Sequence, residues 1–148
     1  MIRRLIYSSS AADDLSERDV TQILESARGT NGNRGITGIL FLVNGEFLQV
    51  LEGSSDAVST IYETIAKDPR HGSVQLLVDE EAPNRYFSQW AMAYALIDDN
   101  EARKIGGSFN VKTASEFVSY VKRPDAYLAD LFKNVLSEIT QSDDPDRD

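Results

Sequence analysis

The stretch that most constrains this chain is Ile36–Gly53, ITGILFLVNGEFLQVLEG. Asn44-Gly45 between two apolar arms predicts a two-residue hairpin turn, since the tight turns that match strand twist need positive φ at both central positions. The first arm, Ile36 to Val43, is almost continuously apolar, the pattern of a central strand buried on both faces. The second arm alternates, with Phe47, Gln49 and Leu51 on one face and Glu46, Leu48 and Val50 on the other. Gln49 is the anomaly, a primary amide between two large apolar neighbours. A buried amide left without partners costs roughly 1–3 kcal/mol, so something polar is expected to face it.

Around the hairpin, Ile2–Ser8 reads as a first strand with apolar bulk on both faces. Ser16–Asp19 resembles a capping box and opens a helix whose stripe is Val20, Ile23, Leu24 and Ala27, with Gly29 as its predicted C′ stop. Thr30–Gly35 is expected as a turn-rich loop. Ser54-Ser55-Asp56 caps a second helix carrying Val58, Ile61, Tyr62 and Ile65, which ends before Pro69. Val74–Val78 and Trp90–Ile97 read as strands, with Trp90, Met92, Tyr94 and Leu96 on one face of the latter and Ala91, Ala93 and Ala95 on the other. The order βαββαββ predicts an α+β sandwich of ferredoxin-like type: a five-stranded mixed sheet with both helices on one face.

Asp98–Asn110 reads as a polar connector. It leads to helices at about Thr113–Val121 and Pro124–Ile139. The wide apolar face of the second, from Tyr127 to Ile139, is expected to cover the other side of the sheet, with Tyr127 or Phe132 left at a margin. The predicted division is a domain of residues 1–98, a helical extension of 99–141 and a disordered acidic tail of 142–148.

Composition removes several kinds of chemistry. The 148 residues contain no cysteine and a single histidine, His71, which excludes thiolate chemistry and multi-histidine metal sites. A net charge of -9 argues against nucleic-acid and anionic-membrane partners. No apolar run is long enough to span a bilayer and the N-terminus lacks a secretory pattern, so a cytoplasmic protein is expected. No nucleophile elbow or phosphate-binding glycine pattern is present, and Asp79-Glu80-Glu81 reads as a solvated acidic run. A binding domain is expected, not an enzyme.

Four polar features sit at otherwise apolar or turn positions: Tyr7, Asn31, Gln49 and the segment Asp68-Pro69-Arg70-His71. In a ferredoxin-like sandwich the first and third strands are central neighbours, so these features converge on the groove between the helices. The set resembles the BLUF family of flavin-binding blue-light sensors. The matching pieces are Arg4-Leu5-Ile6-Tyr7-x-Ser9, Asn31 five residues before Ile36-Thr37-Gly38, Phe47-x-Gln49-x-Leu51-Glu52-Gly53, Asp68-x-Arg70-His71 and Phe87-x-x-Trp90-x-Met92.

The resemblance implies non-covalently bound FAD between the two helices, with Ile23, Leu40, Phe47 and Ile65 as apolar walls. Asn31 would bond the polar ring edge, Asp68 would accept from a ring N–H, and Arg70 and His71 would sit at the ribityl or ring edge. Tyr7 and Ser9 complete the implied contacts. Gln49 would bridge Tyr7 to the ring, Tyr7 supplying an electron and then a proton, and Trp90 or Met92 would relay the change. Asn33 offers a second amide, but Asn31 has the matching distance to Ile36-Thr37-Gly38. The short extension is similar to that of stand-alone members, which implies a homo-oligomer and a downstream protein partner. The competing class is a non-photochemical ferredoxin-like module that binds a small ligand or oligomerises.

Overall fold

In the computed structural model, residues 1–11, 15–68, 71–88, 91–106, 111–123 and 128–141 are described. The elements in order are β1 (Ile2–Ala11), α1 (Glu17–Arg34), β2 (Thr37–Val43), β3 (Glu46–Gly53), α2 (Ser55–Lys67), β4 (His71–Ala82), β5 (Ala93–Leu96), α3 (Asp99–Gly106), α4 (Ala114–Lys122) and α5 (Leu128–Gln141). The five strands form one mixed sheet in the order β4-β1-β3-β2-β5, with β5 parallel to β2 and the other pairings antiparallel. The hairpin turn has φ of 52° at Asn44 and 73° at Gly45, the left-handed pair that the Asn-Gly dipeptide predicts.

Side-chain alternation divides the core into two layers. Leu5, Tyr7, Leu40, Phe47 and Leu51 face α1 and α2, where they meet Val20, Ile23, Leu24, Val58 and Ile61. Ile6, Ile39, Phe41, Leu48 and Val50 face the other way, onto α3, α4 and α5. Ala93 and Ala95 of β5 share that second side, and their small side chains let the helical layer approach closely. Phe132 of α5 is 1% exposed, at the centre of this layer and not at its margin, stacked on Phe41 with ring centroids 6.3 Å apart. Tyr127 and Pro124 lie outside the described residues, as does the tail 142–148.

Several boundaries differ from expectation: β1 runs to Ala11, beyond the expected Ser8, and β4 starts at His71, before the expected Val74. Helix α1 runs through the stretch expected as a loop and stops at Gly35, whose φ of 68° makes it the left-handed cap. Gly29 is tolerated inside the helix at about 1 kcal/mol relative to alanine. Continuation preserves a single stripe, 23, 26, 27, 31 and 34, along one face of α1. Strand β4 extends through the acidic run because Asp79 pairs with Arg3 at 2.9 Å and Glu80 with Arg4 across the ladder, so that run is partly neutralised. Strand β5 begins at Ala93 and not at residue 90, since the preceding carbonyls of Ala91 and Met92 bond to α1 side chains. Within the expected connector, Asp98 accepts from the N–H of Glu101 at 2.8 Å and starts α3.

Candidate functional site: a cavity between two helices over a sheet floor

The cavity lies between α1 and α2 over β3 and has a volume of about 260 Å³. Ile23, Ser26, Ala27, Asn31 and Arg34 of α1 line one wall, and Ile61, Thr64, Ile65 and Asp68 line the other. Both sets repeat at helical spacing, so each wall is one stripe of its helix. Gln49 of β3 contributes the floor.

Gln49 is the best-determined polar group in the site. Its Cα partner across the β1–β3 ladder is Tyr7, and the Tyr7 hydroxyl donates to Gln49 Oε1. Gln49 Nε2 donates to Met92 Sδ at 3.3 Å. A thioether only accepts, so this contact fixes which end of the amide is the NH₂. The second Nε2 hydrogen remains available on the cavity side.

Tyr7 is fully buried, its ring edge-on to Tyr62 at 5.6 Å. Burial, reinforced by Tyr62 and Asp68, pushes its phenol well above the ordinary tyrosine range. The hydroxyl therefore keeps its proton across the physiological range and is a standing donor to Gln49.

Asn31 sits one turn before the end of α1 and is 1% exposed. Its Nδ2 donates to the carbonyl of Ala91 at 3.0 Å, while Oδ1 is buried with no partner. Arg28, one turn earlier, donates Nε to the carbonyl of Met92 at 3.0 Å. Consecutive carbonyls are thus held by consecutive turns of α1, which pins the Met92 sulfur beside Gln49. An orphaned acceptor at 1% exposure costs roughly 1–3 kcal/mol unless a ligand N–H reaches it.

Asp68 caps α2 at its C-terminal end. A carboxylate there opposes the helix dipole, which marks the position as serving something other than helix stability. Asn33, the alternative amide, is exposed and does not line the cavity. Tyr7, Ser9, Leu40 and Phe47 are fully buried and form the layer beneath the cavity, not its wall, because the sheet floor there is roofed by the helices. Tyr7 reaches the cavity through Gln49. Trp90 and Arg70 lie outside the described residues; His71 opens β4, and its side chain also lies outside them. Sequence reasoning missed Arg34, Arg28, Ser26, Thr64 and Ile61 as site residues. The helical period from Ile23 reaches Arg34 once Gly29 is not taken as a stop.

A cavity flanked by Ile23, Ala27, Ile61 and Ile65, with an orphaned acceptor in one wall and an amide N–H at its floor, suits a planar heteroaromatic ring carrying both N–H and acceptor atoms. Comparison with known proteins decides which ring. The profile of the family described as BLUF, sensors of blue-light using FAD, matches residues 2–93. The chain belongs to the BLUF family. It is a flavin-binding blue-light sensor domain.

Over 92 residues this BLUF chain is 39% identical to the photoactivated adenylate cyclase subunit beta of Euglena gracilis, a match covering 62% of the chain and 11% of that protein. It is 35% identical over 92 residues to the blue light- and temperature-regulated antirepressor BluF of Escherichia coli (strain K12), covering 62% of the chain and 23% of that protein. The chain therefore spans a small part of these curated relatives. The dark-state structure of the BLUF protein BlrB superposes with a TM-score of 0.77 at 26% identity, covering 93% of this chain and 96% of that one. No helix among the described residues is long and apolar enough to cross a membrane.

Proposed function

We propose that the chain holds FAD between α1 and α2 and reports blue light through Tyr7, Gln49 and Met92. The observation that carries this reading is Gln49, an amide bonded to a phenol on one side and a thioether on the other, with one hydrogen left for a ligand. Bound flavin supplies the absorption of blue light and an excited state that takes an electron from a nearby phenol. Tyr7 is the electron and proton donor at Oη, and Gln49 is the group that reorients. Rotation or tautomerisation of the amide would exchange donor and acceptor between Tyr7, Met92 and the cavity. The orientation seen here, with Nε2 on Met92, is taken as the dark one. Asn31 Oδ1 would receive a ring N–H, Asp68 would accept another polar contact, and Ile23, Ile61 and Ile65 would flank the ring. Arg70 and His71 retain the ribityl-edge roles implied by family resemblance.

Output would leave through the segment between β4 and β5. Residue 92 touches Gln49, and residues 86 and 87 touch α5, where Tyr86 and Phe87 each place their ring centroids 5.4 Å from that of Phe132. Residues 1–98 would then be the sensor, 99–141 the extension that moves or assembles, and 142–148 an acidic tail. A second copy of the chain or a downstream protein is the proposed reader.

The test is to extract the chromophore from purified protein, identify it by chromatography, and size the protein in darkness and under blue light. FAD and a light-dependent change in assembly or partner binding are expected, the latter lost on truncation at Asp125 while the colour change survives. Colourless protein that takes up no flavin would overturn the reading.

A further inference from the structure

Arg34 lines the cavity from its exposed end, one turn beyond Asn31. With Asp68 it supplies the charge of the described lining. Several other basic side chains of this acidic protein do meet oxygen partners: Arg3 meets Asp79, Arg4 meets Glu52, Lys122 meets Glu46 and Arg85 meets Thr37. Arg34 makes no hydrogen bond or ion pair among the described residues. Compensation of the α1 dipole would occupy any cation in the last turn and does not explain why this one lines the cavity.

The volume of about 260 Å³ is at the low end for a small-molecule site, enough for a planar ring head but not for a nucleotide tail. A tail must cross the rim. The two ends of the cavity differ, because α1 and α2 run antiparallel: α2 ends at Asp68 by the start of β4, whereas α1 ends beside Gly53, where α2 begins. The α2 dipole and the Asp68 carboxylate disfavour an anion at the first end, which leaves the tail the rim beside Arg34. An unpaired guanidinium at such a rim matches a phosphate by charge and by fork geometry.

We propose that Arg34 reads the phosphate of the flavin tail, so that the site selects phosphorylated flavins over riboflavin. The inference rests on the assignment of the cavity to flavin. The phosphate chemistry is common to flavin mononucleotide and FAD, and titration with each separates them.

The experiment uses the full chain stripped of chromophore and titrated with riboflavin, flavin mononucleotide and FAD, following flavin fluorescence at low and high salt. Wild type is expected to bind both phosphorylated flavins about tenfold tighter than riboflavin, with the preference shrinking as salt screens the contact. Arg34→Gln should bring the three within about twofold by weakening only the phosphorylated pair. Arg34→Lys should keep part of the preference. Equal loss for all three ligands in Arg34→Gln would place Arg34 on the ring and overturn the proposal. So would a preference that survives Arg34→Gln and disappears in Arg70→Gln. Failure of wild type to bind any of the three would overturn the flavin assignment itself, and failure of the preference alone would leave that assignment standing.

Discussion

Tyr7 and Gln49 are cross-strand partners on the two central strands, and the buried phenol donates to the amide oxygen from directly opposite. The pair is therefore fixed by backbone register and not by side-chain reach alone. A one-residue slip of β1 against β3 would send Tyr7 to the α5 side of the sheet.

Burial of Tyr7 gives stability a defined pH dependence. The folded-state pKa is raised above the unfolded value near 10, so its contribution is fully present below that value. Above it the unfolded chain releases the proton while the folded one retains it, and stability falls. Denaturation of wild type and Tyr7→Phe above about pH 10 should differ by a slope approaching 1.4 kcal/mol per pH unit. Parallel curves would contradict the buried neutral phenol.

Asn31→Ala removes the orphaned acceptor and the bond to Ala91. Flavin affinity should drop about tenfold, as expected for loss of one well-placed hydrogen bond in a buried site. Asn33→Ala should leave affinity unchanged, because Asn33 is exposed. The reverse ranking in fluorescence titrations would move the role to Asn33.

Met92 and Arg28 bear on the lifetime of the lit state, not on its formation. Met92→Leu removes the acceptor that favours the present amide orientation, an interaction of about 1 kcal/mol, so dark recovery should slow about fivefold. Arg28→Ala should act in the same direction by freeing the Met92 carbonyl. Recovery kinetics after a blue flash provide the check, and unchanged rates in both variants would sink this role.

Glu52 ties the segment before Met92 to the sheet. It is fully buried and accepts from Arg4 Nε and from the N–H groups of Tyr86 and Phe87, each at 2.8 Å. Glu52→Ala would leave Arg4 Nε and two amides without their acceptor, while Glu80 and the carbonyl of Asn84 still hold the guanidinium, at about 2–4 kcal/mol. Chemical denaturation tests this, and a loss below about 1 kcal/mol would mean that water replaces the carboxylate.

The hairpin and both sheet faces were legible in the sequence because alternation and the Asn-Gly turn are local signals, and the neighbouring of Tyr7 and Gln49 followed from the strand order of a ferredoxin-like sandwich. Asn31 was legible through its spacing to Ile36-Thr37-Gly38. Arg34 was not, since a glycine at 29 and an asparagine-glycine pair at 31–32 imitate a helix end. The bonds from Arg28 and Asn31 to residues 91 and 92 tie α1 to the chain before β5 across that stretch. The Met92–Gln49 contact depends on the same tertiary bonds, which no local pattern announces. Helix α3 carried a visible start in Asp98 and Glu101, obscured by the polar composition around it.

The most direct test of the account is the dark-minus-light absorption difference of flavin-loaded wild type, Tyr7→Phe and Gln49→Leu. The account predicts a reversible light-induced spectral shift in wild type and none in either variant, with flavin still bound in all three. A normal shift in Tyr7→Phe or Gln49→Leu would contradict it.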